Sequence, residues 1–332
     1  MPFQDMPLKD LETYRPELVA PIDFDERWSS TLAEARLHDQ RVTIDRVIGP
    51  MNVIDVDDVT FSGFGGDPVK AWLLRPKGAI GELPIVVEYN GYGGGRGLPH
   101  ERLLWPAAGY AYLLMDSRGQ GSAWGSGGET ADASGGGDAG MPALPGFMTR
   151  GVLSFDTYYF RRLITDAVRA LDAVASIEGI DAKRIAVAGA SQGGGLAIAA
   201  AGLVPEVSAA LIDVPFMCHI ERGIQIAEQD PYQEVARYLS VHRHHEEQVV
   251  RTLSYVDGVH HASRAHAPAL FSAGLRDDVC PPSTVFAAFH AWAGASRMIT
   301  YPYNAHEGGQ AYQQVQQAAF LADVWEKNSD AR

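Results

Sequence analysis

The stretch that most constrains the fold is Arg184-Ile-Ala-Val-Ala-Gly189-Ala-Ser191-Gln-Gly193-Gly-Gly-Leu-Ala-Ile-Ala-Ala-Ala201. Ile185 to Ala188 is a short apolar run that reads as a buried strand, and the Ala-rich segment further on suits a buried helix. Between them stands Gly189-Ala190-Ser191-Gln192-Gly193, of the form G-x-S-x-G. Strand, tight turn and helix is the context in which this short pattern makes a nucleophile elbow. A serine on so sharp a turn has a strained backbone, so its neighbours must lack side chains that would clash. The turn lifts Oγ above the sheet edge, and the helix N-terminus offers N–H groups to a developing negative charge. The bland alternative is a glycine-rich turn between a core strand and a core helix. The flanking pattern favours the elbow.

Around this stretch the chain alternates strands with helices. Asp23 to Arg36 has Phe24, Trp28, Leu32 and Ala35 at helical spacing, which predicts an amphipathic helix outside the main core. Val42 to Ile48, Val53 to Ser62 and Val69 to Arg75 read as successive antiparallel strands, with Gly63, Gly65 and Gly66 turning between the last two. Leu83 to Tyr89 is a core strand followed by the glycine loop Asn90 to Gly97. Ala107 to Asp116 is the next strand, closed by Ser117 to Ser122. Ala123 to Gly146 is rich in Gly, Ser, Asp and Pro and longer than an ordinary connection, so an irregular loop near the site is expected. Tyr158 to Ser176 reads as a helix and Val207 to Val214 as a strand. Residues 216–262 turn helical, His-rich and charged, as an insertion or cap would. Pro268 to Gly274 and Met298 to Tyr303 are the last strands, and Tyr312 to Lys327 a closing helix. The alternation implies one α/β domain over 1–332: a mainly parallel sheet with helices on both faces, an N-terminal helical extension over about 1–40 and a helical insertion over about 216–262.

A net charge of −14, from 27 Lys and Arg against 41 Asp and Glu, argues against nucleic-acid backbones and anionic membranes as partners. Cys218 and Cys280 are the only cysteines, too few for a disulfide framework. The first residues lack a basic stretch leading into an apolar one, and no apolar run is long enough to span a bilayer. A soluble, cytoplasmic protein with reduced thiols is the expectation.

A serine nucleophile needs a base, and the base needs a carboxylate to hold its tautomer. On this architecture they follow in the order Ser, Asp or Glu, His, each on a loop at a strand's carboxyl end. Asp277 and Asp278 come after the strand ending at Gly274, and His306 follows the last strand within Asn304-Ala-His306-Glu307-Gly-Gly309. Spacing leaves both aspartates open, Asp277 being nearer the strand; a loop-capping role is the bland alternative for either. His242, His244, His245, His260, His261 and His266 fall in or beside the insertion, where surface or supporting roles are expected. The oxyanion hole should use the backbone N–H of Gln192 and a second N–H from the loop Asn90 to Gly97. Gly93, Gly95 and Gly97 do not spell a dinucleotide fingerprint. Val241 to Glu247 could set His242, His245 and Glu246 on one helical face, but an exposed basic-acidic helix explains them, and no metal is expected.

Taken together, the chain resembles carbohydrate esterase family 7, the acetyl xylan esterase and cephalosporin C deacetylase family of the α/β-hydrolase superfamily. Arg118-Gly119-Gln120, Gly189-Ala-Ser191-Gln192-Gly193 and His306-Glu307 carry the match. Tyr14-Arg-Pro-Glu17, Phe61-Ser-Gly63, Gly94-Gly-Arg-Gly97, Pro145 to Gly151 and Asp213-Val-Pro215 extend it over nearly the whole chain. The resemblance implies Ser191 as nucleophile, His306 as base, Asp277 as its partner, and the N–H groups of Tyr92 and Gln192 as oxyanion hole. Arg118 and Gln120 would brace the site. It implies a cofactor-independent, intracellular hexamer that takes acetyl groups from small sugars, xylo-oligosaccharides and cephalosporin C. Tyr92, Trp105 and Trp124 are candidates for the wall of a small acyl pocket, with ordinary core or loop packing as the alternative, for Trp105 above all. An esterase or peptidase of other specificity on the same fold, and a non-catalytic binding protein, are the competing readings.

Overall fold

Alternating burial along the strands sets the layers. In β4 (Leu83–Tyr89), Ile85, Val87 and Tyr89 enter one core cluster and Val86 the other. In β5 (Ala111–Met115), Ala111, Leu113 and Met115 split the same way from Tyr112 and Leu114. A strand buried on both faces has this period of two, and it demands cover on each side. The structure, a computed structural model, describes residues 5–133 and 140–330. Residues 134–139 of the expected 123–146 loop lie outside the described residues.

Among the described residues nine strands form one sheet. β1 (Val42–Val47), β2 (Ile54–Ser62) and β3 (Pro68–Pro76) make an antiparallel meander. β4, β5, β6 (Ile180–Ala190), β7 (Ala209–Asp213), β8 (Ala269–Gly274) and β9 (Ser296–Tyr301) pair in parallel. The spatial order is β1-β2-β3-β5-β4-β6-β7-β8-β9. β5 joins one side of β4 and β6 the other, so the loops leaving β4 and β6 part at their carboxyl ends. That switch point opens the crevice where α/β sheets bind ligands.

The larger core cluster lies under α1 (Leu8–Leu11), α2 (Phe24–Arg36), α4 (Tyr159–Val174) and α5 (Gln192–Leu203); the other is covered by α3 (Leu104–Ala107) and the closing helix, numbered α11 (Gln310–Asp330). Phe24, Trp28, Leu32 and Ala35 of α2 are all buried, as their spacing predicts. α5 is buried from Gln192 to Ala201, which explains its small side chains: they let the helix pass close to the sheet. Between β7 and β8 the chain forms α6 (Ile220–Ile226), α7 (Tyr232–Val241), α8 (Glu246–Ser254) and α9 (Gly258–Ala262). α10 (Pro282–Ala291) follows β8 and was not read from the sequence. Its signal was present: Pro281-Pro282 opens it, and a proline is favoured at the first helical position because its missing N–H has no partner there anyway. Among the described residues no helix is long and apolar enough to cross a membrane.

Candidate active site

Ser191 sits between β6 and α5 with φ 58° and ψ −122°, a backbone conformation that non-glycine residues rarely adopt. Its N–H donates to the Asp213 carbonyl at 3.0 Å, and its carbonyl accepts from the Phe216 N–H at 2.9 Å. Two backbone bonds to the neighbouring strand end thus hold the strain in place. The glycines are required by close approach: a Cβ on Gly189 would run into the Gly193 backbone, and one on Gly193 into the Tyr89 carbonyl.

Three loops at strand carboxyl ends meet over this serine. His306, after β9, brings Nε2 to 2.9 Å from Ser191 Oγ. Its Nδ1 lies 2.9 Å from Asp277 Oδ2, on the loop after β8. Asp277 is aimed by its own turn, since its Oδ1 accepts the N–H groups of Val279 and Cys280 at 2.9 and 2.8 Å. Asp278, the alternative left open by spacing, lines the cleft instead. The Asp277 side chain is 1% exposed and that of His306 30%, so the pair joins a dry carboxylate to an imidazole that substrate can reach. Glu307 accepts from Asn304 Nδ2 at 2.8 Å and the Ala305 N–H at 2.9 Å, shaping the turn that carries the imidazole.

On the opposite side of Ser191 the loop after β4 is held by an interlock of amides. Gln120 Oε1 accepts the Gly93 N–H at 2.7 Å, and Gln120 Nε2 donates to Gln192 Oε1 at 2.8 Å and to the Tyr159 hydroxyl at 2.9 Å. Gln192 Nε2 donates to the Asn90 carbonyl at 3.2 Å. The two glutamines therefore tie the elbow to the loop carrying Tyr92. Arg118 lies beneath, fully buried, with Nε and Nη2 at 2.5 and 2.7 Å from the two oxygens of Asp166. Removing one partner of such a pair costs about 3–5 kcal/mol because the other charge is left uncompensated. Tyr92 adds a contact that sequence reasoning missed: its hydroxyl donates to the Glu234 carboxylate of α7 at 2.7–2.8 Å. Glu234 carried no local signal, for it lies on α7, 142 residues further along the chain.

These elements enclose a cleft of about 1010 Å³ whose lining includes Gly91, Tyr92, Trp124, Ser191, Asp278 and His306. Trp124 is 82% exposed, and its indole N–H donates to the Tyr92 carbonyl at 2.7 Å. Trp105, expected in the pocket wall, is not among the lining residues. It is the second residue of the short helix α3 and packs in the core cluster on the far face of the sheet, its ring centroid 6.1 Å from that of Tyr110. An aromatic side chain suits a pocket wall and a core equally well, and here the face of the sheet decided for the core. The helix over 241–247 does not form as one piece either: α7 ends at Val241, a tight turn spans Arg243–His245 and α8 begins at Glu246. His245 Nδ1 lies 2.8 Å from the Tyr238 hydroxyl, and among the described residues no cluster of three or more His, Cys, Asp or Glu is placed to hold a metal. Both cysteines are free and buried, and burial pushes the Cys280 thiol well up, so it offers no competing thiolate beside the serine.

A hydroxyl, an imidazole and a carboxylate in series, with a helix N-terminus beside them, are equipped for acyl transfer. A family model for acetyl xylan esterase (AXE1) matches residues 1–324. An acetyl esterase, Axe7A, from Xylanibacter ruminicola is 26% identical over 299 residues, covering 89% of this chain. The chain spans 65% of that relative's length. Among solved structures, an acetyl xylan esterase from Paenibacillus sp. R4 superposes with a TM-score of 0.88 at 40% identity, covering 96% of this chain and 99% of its own. Acetyl xylan esterase 1 from Thermoanaerobacterium sp. JW/SL YS485 gives 0.86 at 30% identity, covering 97% and 99%. On this likeness in sequence and in three dimensions, with the α/β-hydrolase architecture already described, the chain belongs to the acetyl xylan esterase family.

Proposed function

We propose that this chain is a serine esterase that removes acetyl groups from small acetylated carbohydrates, xylo-oligosaccharides among them, and from cephalosporin C. The observation that carries the reading is the series of two 2.9 Å hydrogen bonds from Ser191 Oγ through His306 to Asp277 at a cleft. Family membership and the acetyl esterases among the relatives support acetate as the acyl group.

In this reading Ser191 Oγ attacks the acetyl carbonyl while His306 Nε2 takes the hydroxyl proton. Asp277 holds the proton on Nδ1 and stabilises the imidazolium. The oxyanion rests on the N–H groups of Tyr92 and Gln192, each contributing about 2.7–4 kcal/mol to lowering the barrier. The C–O bond to the sugar breaks, and His306 returns the proton to the leaving alcohol. Water then attacks the acetyl-enzyme by the same route, and acetate leaves. The cycle as written needs no metal and no cofactor. Trp124 borders the acyl and leaving-group space. The same reading takes the chain as one domain with an N-terminal extension over about 1–40 and an insertion over about 216–262, assembled as a cytoplasmic hexamer.

Ser191→Ala should abolish hydrolysis of a short-chain aryl acetate without changing the far-ultraviolet circular dichroism. Retained hydrolysis would sink the assignment, and preference for hexanoate or longer in an acyl series would replace deacetylation with another esterase activity.

A further inference from the structure

We propose that Glu234 is a positioning residue for the oxyanion loop, acting through the Tyr92 hydroxyl; the inference rests on the esterase reading above. Tyr92 supplies a backbone N–H to the oxyanion in that reading, yet its side chain turns away from the reacting centre. The hydroxyl donates to both Glu234 oxygens, at 2.8 and 2.7 Å, and accepts the N–H groups of Phe147 at 2.7 Å and Gly146 at 3.3 Å. Glu234 Oε2 accepts a further N–H, from Met148, at 3.1 Å. Three segments that are remote in sequence therefore meet at one phenol oxygen: the loop after β4, the turn over 146–148, and α7.

The node is poorly explained as packing alone. Tyr92 and Glu234 are each 9% exposed, and burial pushes the Glu234 carboxyl above the usual carboxylate range. A buried carboxylate is a weak source of stability, since desolvation opposes its charge. What the contact does supply is direction. The ring of Tyr92 meets Phe147 and Phe216 edge-on at 5.7 and 6.1 Å, which lets it slide, whereas a hydroxyl with two acceptor oxygens and two donors fixes its position. Fixing the phenol at one end fixes the Tyr92 backbone at the other. Other restraints on the loop act on different atoms, among them Gln120 on the Gly93 N–H, Trp124 on the Tyr92 carbonyl and Gln192 on the Asn90 carbonyl.

The position of Glu234 on α7 gives the clamp a second consequence. Asp230, Pro231 and Arg237 of the same segment line the cleft, one turn from Glu234. Part of the cleft wall and the clamp on the oxyanion loop thus belong to one segment, α7 and the two residues before it.

The test compares Tyr92→Phe, Glu234→Ala and Glu234→Gln on a short-chain aryl acetate, below the melting temperature of each. Tyr92→Phe and Glu234→Ala should each lower kcat by about 10- to 100-fold, the scale of a misplacement near 1 Å, with KM within about twofold. Glu234→Gln, which keeps an acceptor for the phenol, should recover most of the rate. The double variant Tyr92→Phe/Glu234→Ala should be no slower than either single one, because both break one contact. Parental kcat in a folded Glu234→Ala or Tyr92→Phe, or losses that multiply in the double variant, would overturn the proposal. If the parent itself hydrolyses no ester, the esterase reading fails, and amide hydrogen exchange over residues 90–97 still decides the clamp. Faster exchange in Glu234→Ala supports it, and exchange at the parental rate overturns it.

Discussion

The two sides of Ser191 are built by different means. On one side, His306 and Asp277 come from loops directly after β9 and β8, and the side-chain bonds that shape those turns are short-range: Asp277 to Val279 and Cys280, Glu307 to Asn304 and Ala305, with the Arg276 N–H donating to the Asn304 carbonyl to join the two adjacent loops. On the other side, the loop with Tyr92 is held by Gln120 and Trp124 of the loop after β5, by Gln192 and by Glu234, from three separate parts of the chain. The base side needs one proton acceptor at one distance, which a strand end and a tight turn can deliver. On the proposed mechanism the oxyanion side must hold a backbone N–H still against a charge that exists only in the transition state, and a glycine-rich loop gains little rigidity from its own side chains. Side chains from elsewhere supply the rigidity.

The comparison can be broken at each side. Asp277→Asn leaves the shape of the base side but presents an amide where the imidazole needs an acceptor. On the proposed mechanism kcat should fall by about four orders of magnitude with little change in melting temperature, read by steady-state kinetics and calorimetry. An effect under tenfold would mean that His306 holds its tautomer without Asp277.

The oxyanion side should show smaller, coupled losses. Gln120→Ala removes the acceptor of the Gly93 N–H and a partner of Gln192; Gln192→Ala removes the other end of the same interlock. Each should lower kcat by about 10- to 100-fold. A double-mutant cycle should return a coupling of about 0.5–3 kcal/mol, as expected for side chains in one network. Additive losses would show that the two glutamines act independently.

Asp213 sharpens the contrast, for it lies under both sides. Its backbone carbonyl accepts the Ser191 N–H, and its carboxyl accepts Ser272 Oγ at 2.8 Å, Gln313 Nε2 at 3.0 Å and Gln317 Nε2 at 2.7 Å. Burial pushes this carboxyl up to about 7, the three donors only partly opposing it. The folded protein then binds a proton that the unfolded chain releases above the ordinary aspartate range near 3.9. Its contribution to stability is complete below that range and is lost as pH rises through about 7. Asp213→Asn should flatten the dependence of stability on pH between about 4 and 7, measured by chemical denaturation. A parental slope in the variant would place the titration elsewhere. The effect on kcat should be the smallest of the series, because Asn keeps the backbone bond to Ser191.

Much of the fold was legible because its signals are local. β4 runs from Leu83 to Tyr89 as read, and α2 buries the four residues that its spacing selected. β6 is longer than its apolar run because Ile180 to Arg184, mixed in polarity, extends it at its amino-terminal end, where the register with β4 shifts. The continuous helix over 241–247 failed because helical spacing of His242, His245 and Glu246 says nothing about whether the turn between α7 and α8 is wound as one piece. For Trp105 the alternative of ordinary core packing is what the structure shows, because aromatic character alone does not say which face of the sheet a short helix will cover.

The sequence by itself determined the alternation of strands and helices, the strained serine after β6, and the order of serine, aspartate and histidine along the chain. Hydrophobic period, glycine at close approaches and chain order are written in neighbouring residues, so they survive without a structure. Only the tertiary structure decided which aspartate faces His306, that Trp105 belongs to the opposite core layer, and that Glu234 grips Tyr92. Those outcomes depend on where segments up to 142 residues apart come to rest, and that is set by the packing of the whole sheet rather than by any stretch of it.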